Sequence, residues 1–155
     1  TAHTQIGSFV GTPVYSSPEQ LLGHRANVDT RADVYSMGVV LYELLSGVTP
    51  YAEKELSNKS PLELAKLLSS GDPPALATRY ASLDPAEETK IAGQRRTTVA
   101  RMLQSLGADL SWIVAKCLER DPEDRYDSAS ELKQELQRWL DDRPVEAKQA
   151  GRWYR

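Results

Sequence analysis

A mainly α-helical fold is what this sequence predicts, and three observations predict it. Beyond residue 18 apolar residues recur at helical spacing in one segment after another. Most of those segments open on a capping side chain and stop at a glycine or a proline. No run alternates apolar and polar residues for long enough to make a convincing strand.

The elements follow in chain order. Residues 1–18 are rich in Thr, Ser, Gly and Pro without apolar periodicity, which is loop composition. Thr30-Arg31-Ala32-Asp33 fits a capping box, so a helix is expected from there to about Ser46, stopped by Gly47. Its apolar residues, among them Val34, Val39, Val40, Leu41, Leu44 and Leu45, occupy every side of the wheel, which predicts a helix surrounded by protein. Asp33 and Glu43 then need buried or capping partners. A second helix is expected from Ser60-Pro61-Leu62-Glu63 to Gly71, with a capping hydroxyl, a first-position proline and an early glutamate. Asp72 to Tyr80 reads as loop. Asp84-Pro85 opens a short helix that stops by Gly93, and Thr98 opens another that stops at Gly107. Asp109 is expected to cap a helix whose Leu110, Ile113, Val114, Cys117 and Leu118 form one stripe, ended by Asp121-Pro122. Ser128-Ala129-Ser130-Glu131 reads as a capping box for a last helix with Leu132, Leu136, Trp139 and Leu140 on one face.

The composition narrows function. With 155 residues, 40% hydrophobic and 26% charged, the chain can bury a core. A net charge of −3 supplies no general basic field for nucleic acid, and Arg95, Arg96 and Arg101 read as a solvated face offset by Glu87 and Glu88. One cysteine, Cys117, and two histidines, His3 and His24, make neither a disulfide nor a metal-ligand cluster, so no metal site is expected, and the compartment expected is the cytoplasm. The longest strongly apolar stretch, Met37 to Leu45, is interrupted by Glu43 and too short to span a bilayer. With no initiator methionine and a polar loop at the start, the chain is expected to be a fragment beginning inside a loop.

Three motifs in order carry the functional signal. Gly11-Thr12-Pro13-Val14-Tyr15-Ser16-Ser17-Pro18-Glu19 is followed by Asp33-Val34-Tyr35-Ser36-Met37-Gly38, and far downstream by Cys117-Leu118-Glu119-Arg120-Asp121-Pro122-Glu123-Asp124-Arg125. This order resembles the activation segment, the central helix and the late turn of protein kinases. The segments Asp109 to Val114 and Arg138 to Ala147 are similar to bacterial serine/threonine kinases that precede membrane or repeat segments. The resemblance implies the helical C-terminal lobe of the kinase fold, with the N-terminal lobe and the catalytic loop absent. Residues 1–20 would be the end of the activation segment and the substrate-platform loop, 21–141 the helical lobe, and 142–155 a linker toward a downstream membrane anchor or repeat domain. Trp153 is a candidate interfacial anchor.

What the resemblance implies for single residues has a plainer alternative in each case. Gly11, Thr12, Pro13, Val14 and Tyr15 would form the platform receiving the residue after the target hydroxyl, with Thr12 supporting the catalytic aspartate and lysine; otherwise they are a turn. Ser8, and next Thr4, stand where activation loops are phosphorylated, a change that orders a loop by arginine pairing; otherwise they are polar loop residues. Glu19 and Arg125 would pair and lock the segment onto the lobe; otherwise both are solvated. Asp33 would anchor the catalytic-loop backbone, and a pure capping role fits equally well.

No glycine-rich phosphate loop, V-A-I-K-like lysine, H-R-D or D-F-G is present, so no catalytic residue is expected here and the chain alone should neither bind ATP nor catalyse. ATP and Mg would belong to the complete kinase, whose partners would be protein substrates and its own N-terminal lobe, at the cytoplasmic face of a membrane if it is anchored. The competing reading is a non-catalytic pseudokinase lobe or helical interaction module using the same surface.

Overall fold

Nine helices account for the described part of the chain, which in this computed structural model is residues 13–23 and 29–149. They are α1 (Pro18–Leu21), α2 (Thr30–Ser46), α3 (Glu53–Leu56), α4 (Pro61–Ser70), α5 (Leu76–Ala81), α6 (Pro85–Gln94), α7 (Val99–Ser105), α8 (Ala108–Cys117) and α9 (Ala129–Leu140). Single 3-10 turns sit at Pro13–Tyr15, Pro122–Asp124 and Glu146–Gln149, and no strand occurs among the described residues. The chain is mainly α, as its periodicity predicts, and has the helical architecture of a kinase C-terminal lobe.

Helix α2 is the pillar. One side of it meets α5, α7 and α8 in a core of Tyr35, Val39, Tyr42, Leu76, Tyr80, Ile91, Met102 and Val114. Another side meets α8, α9 and the C-terminal residues through Val34, Ile113, Cys117, Tyr126, Leu132, Val145 and Ala147. A smaller cluster of Leu21, Leu56, Leu64 and Ala65 joins α1 to α3 and α4. Gly38 lets α2 and α8 approach, since a Cβ there would lie 2.5 Å from the Cβ of Cys117. Gly47 ends α2 in the left-handed region at φ 81°, which glycine adopts without steric cost. Its missing side chain also leaves room for Ile91.

Local signals hold where a helix end sees only its own neighbours. Ser60 is the expected cap of α4 and closes a capping box with Glu63, Asp84 accepts from the Ala86 N–H, and Thr98 accepts from the Arg101 N–H. Three helix starts differ from expectation, and at the first a distant chain segment competes. Asp29, not Thr30, caps α2 through the Arg31 N–H, because the Thr30 hydroxyl donates to the Asp127 carbonyl 97 residues away. Helix α8 starts on Gly107 without a side-chain cap, with Asp109 inside its first turn. Ser128 caps α9, but Glu131 reaches past it to the Asp127 N–H.

Three further expectations are corrected. Leu76 to Ala81, in the stretch read as loop, is helix α5, formed because Leu76 and Tyr80 are buried in the main core. Helix α2 is not enclosed all round: Val40 is 44% exposed and Leu44 65%. On α9 the apolar face ends early, since Trp139 and Leu140 are exposed while Glu135 is buried beside Leu132. Arg95, Arg96 and Arg101 are exposed, in keeping with a solvated face, and Arg95 in addition donates to the Leu45 carbonyl, satisfying one of the open acceptors at the end of α2.

Candidate functional site

The segment 13–21 packs on the helical body through Leu21 and is held by polar contacts at two further places. Pro13–Tyr15 makes a tight turn closed by the Ser16 N–H on the Pro13 carbonyl. The Ser36 hydroxyl of α2 donates to the Tyr15 carbonyl at 2.6 Å, and the Tyr15 hydroxyl donates to Glu43 Oε2 at 2.6 Å. Glu43 thereby finds the partner its place in a packed helix demands. The bond to the Glu43 carboxylate keeps the Tyr15 phenol protonated, raising it above the ordinary tyrosine value, and partial burial and the carboxylate charge act in the same direction.

The second attachment is the ion pair. Ser17 caps α1 with a closed box to Gln20, and Pro18 at the first position leaves no N–H unsatisfied there. This places Glu19 in the first turn, facing the body. Its two carboxylate oxygens accept from Arg125 Nη1 at 2.6 Å and Nη2 at 3.0 Å, across 106 residues of sequence. Arg125 Nε donates to the Glu119 carbonyl at 2.8 Å, Nη1 to the Arg31 carbonyl at 3.1 Å and Nη2 to the Arg120 carbonyl at 3.3 Å. The guanidinium's five N–H donors are therefore all used, in the planar fork that only arginine supplies. Its side chain is 0% exposed and that of Glu19 11%. The Tyr35 ring lies 5.0 Å from the guanidinium carbon and covers the pair. The alternative of two solvated charges does not fit this geometry.

Beside the turn lies a cleft of about 850 Å³, bordered by Val14 and Tyr15, by Glu43 and by the 48–55 and 79–87 stretches. Pro13 is exposed, and Val14 is half-buried between the two neighbouring apolar clusters. Asp33 is exposed near the start of α2, on the helix face that also carries the exposed Val40 and Leu44. Gly11, Thr12, Ser8, Thr4 and Trp153 lie outside the described residues.

The sequence carried no signal for several residues that hold the site. Arg31 bonds Asp127 and Glu123, tying the start of α2 to the turn that presents Arg125. Tyr126, next to Arg125, donates to Glu135, and the Glu135 carboxylate also accepts from the Glu146 and Ala147 N–H groups. Each depends on a distant partner, and no local spacing encodes it.

Residues 1–137 match the family model described as the protein kinase domain. The chain is 34% identical over 144 residues to the serine/threonine-protein kinase PknB of Mycobacterium tuberculosis (strain ATCC 25618 / H37Rv), covering 93% of this chain and 18% of that protein. It is 33% identical over 138 residues to the serine/threonine-protein kinase PknD of Chlamydia pneumoniae, covering 89% and 12%, and 33% identical over 134 residues to the serine/threonine-protein kinase Pkn1 of Myxococcus xanthus, covering 86% and 15%. The chain spans less than a fifth of the length of these curated relatives.

Proposed function

The chain belongs to the protein kinase family, and from that premise we propose that it supplies the substrate platform and helical scaffold of a bacterial serine/threonine kinase that moves the γ-phosphate of ATP onto protein Ser or Thr. The observation that carries this reading is the buried, bidentate Glu19–Arg125 pair, which fixes the 13–21 segment on the lobe with every guanidinium donor used. Phosphoryl transfer is governed by positioning and charge neutralisation, so a rigid floor for the peptide is a working part of the reaction.

In this reading Gly11 to Tyr15 receive the residue after the target hydroxyl, and the apolar Pro13 and Val14 make the floor. Tyr15 sets its height through Glu43 and Ser36. Thr12 supports the catalytic aspartate and lysine supplied elsewhere in the protein. Ser8 and Thr4 are the phosphorylation candidates.

Family membership implies ATP and magnesium for the complete kinase. Among the described residues no three His, Cys, Asp or Glu side chains gather as a metal site. The missing glycine-rich loop, V-A-I-K-like lysine, H-R-D and D-F-G are the reason the nucleotide and metal are assigned in this proposal to other parts of the protein, the part of this chain being to bind and orient the peptide. The chain by itself is proposed to be inactive. The face of Asp33, Val40 and Leu44 is proposed to meet the catalytic loop and N-terminal lobe of the complete kinase, and residues 142–155 are proposed to lead toward a membrane anchor or repeat domain. No helix among the described residues is long and apolar enough to cross a membrane.

The test is turnover of Ser/Thr peptides by the whole protein with ATP and magnesium, alongside Tyr15→Phe and phosphopeptide mapping. Ser/Thr phosphorylation, a raised KM for peptide in Tyr15→Phe with the KM for ATP unchanged, and phosphate on Ser8 or Thr4 are expected. A whole protein that folds, binds partners and transfers no phosphate would replace this reading with that of an interaction module.

A further inference from the structure

We propose that Arg125 and Tyr126 form a two-sided clasp coupling the C-terminal strap, residues 143–149, to the 13–21 segment, so that docking of the strap tightens the hold on the platform. The two residues are adjacent in sequence, both are buried, and their side chains serve opposite ends of the described chain. Arg125 grips Glu19. Tyr126 is inserted among Ile113, Cys117, Leu132, Val145 and Ala147, and its hydroxyl donates to Glu135 Oε2 at 3.1 Å.

Glu135 is the other jaw. It is 3% exposed, and its oxygens accept from the Glu146 N–H at 2.8 Å and the Ala147 N–H at 2.8 Å. Two of the three hydrogen bonds to this buried carboxylate therefore come from the strap. Arg138 stands 4.0 Å from Glu135 and pairs with Glu146 at 2.6 Å, closing the rim. If the strap leaves, Glu135 keeps one hydrogen bond, from Tyr126, with the Arg138 guanidinium at ion-pair distance, and a buried carboxylate short of donors draws in water or turns toward solvent. Either response disturbs the Tyr126 hydroxyl and uncovers one side of its ring. The backbone of Arg125 shifts with it, and a bidentate geometry with five donors engaged tolerates little displacement. Thermodynamic linkage makes the coupling reciprocal: whatever loosens Glu19 from Arg125 loosens the strap by the same factor.

That the 13–21 segment receives a peptide rests on the proposed function. The coupling does not, and amide exchange reads it with no substrate present, so the failure of one is distinguishable from the failure of the other. Hydrogen-exchange mass spectrometry on the whole protein would compare wild type with Val145→Asp, which ejects the strap, and Glu135→Gln, which keeps the volume and weakens the latch. The amides of Leu21, Leu22 and Gly23, bonded to the Ser17, Pro18 and Gln20 carbonyls, are followed. They are expected to exchange roughly tenfold faster in Val145→Asp, within the 5–150-fold range of ordinary site coupling. Amides of α6, packed elsewhere, keep their rates. In the reverse direction Glu19→Gln speeds exchange at Glu146 and Ala147. Strap amides that accelerate while Leu21 to Gly23 do not would overturn the clasp. Uniform acceleration that includes α6 would do the same, since the strap would then add only general stability. If Val145→Asp does not fold, Glu135→Gln and Glu19→Gln decide on the same criteria.

Discussion

Replacing Arg125 with alanine removes an ion pair that joins residues 106 positions apart in the sequence, and its cost follows from the geometry. The Glu19 carboxylate, 11% exposed, loses both of its short bonds to a guanidinium that is itself wholly buried. Removing one partner of such a pair costs about 3–5 kcal/mol, because the remaining charge stays desolvated. The carbonyls of Glu119, Arg31 and Arg120 lose a donor as well, though water entering the vacated space meets part of that demand. A loss of about 4 kcal/mol corresponds to a fall in Tm of roughly 8–16 °C for a domain of this size. Glu19→Gln should cost less, about 1.5–3 kcal/mol for charge-assisted bonds, since Arg125 keeps its three carbonyls. Thermal and urea unfolding of wild type, both single variants and the double variant would measure this, with a coupling of about 2–3 kcal/mol expected between the sites. Arg125→Ala within 1 kcal/mol of wild type, or additive single effects, would refute the reasoning.

Gly38→Ala should destabilise by about 1–3 kcal/mol, because its Cβ would sit 2.5 Å from the Cys117 Cβ and α8 would have to retreat; urea midpoints read this, and a neutral result would mean that α2 and α8 are less closely packed. Burial pushes the Cys117 thiol well above its ordinary value, so it should resist alkylation in the native state and react on unfolding, as labelling with and without urea would reveal. The Glu63 carboxyl is held below its usual value by the Ser60 N–H, so its share of stability is present above the unfolded value of about 4.3 and is lost as pH falls through its lower folded value. The stability gap between wild type and Glu63→Gln should close over that acid range, and a gap independent of pH would count against the carboxylate's part in the cap.

Much of this protein is a local matter, and that much is legible in its sequence. The ends of α4, α6 and α7 follow from Ser60, Asp84 and Thr98, because a capping side chain bonds N–H groups two or three residues away and needs nothing else. The stop at Gly47 is equally local, set by a backbone angle that disfavours a side chain. Even the Glu19–Arg125 pair was readable, through motif order and not through periodicity. Tertiary structure alone decided which of two available partners a group takes. Thr30 abandons its expected cap for the Asp127 carbonyl, and Arg95 turns to the end of α2. It also made a helix of Leu76–Ala81, where no side-chain cap exists and burial of Leu76 and Tyr80 supplies the stabilisation. The exposure of Val40 and Leu44 and the burial of Glu135 belong to the same class. Helical spacing says which residues share a face, whereas what covers that face depends on segments that only the folded chain brings near.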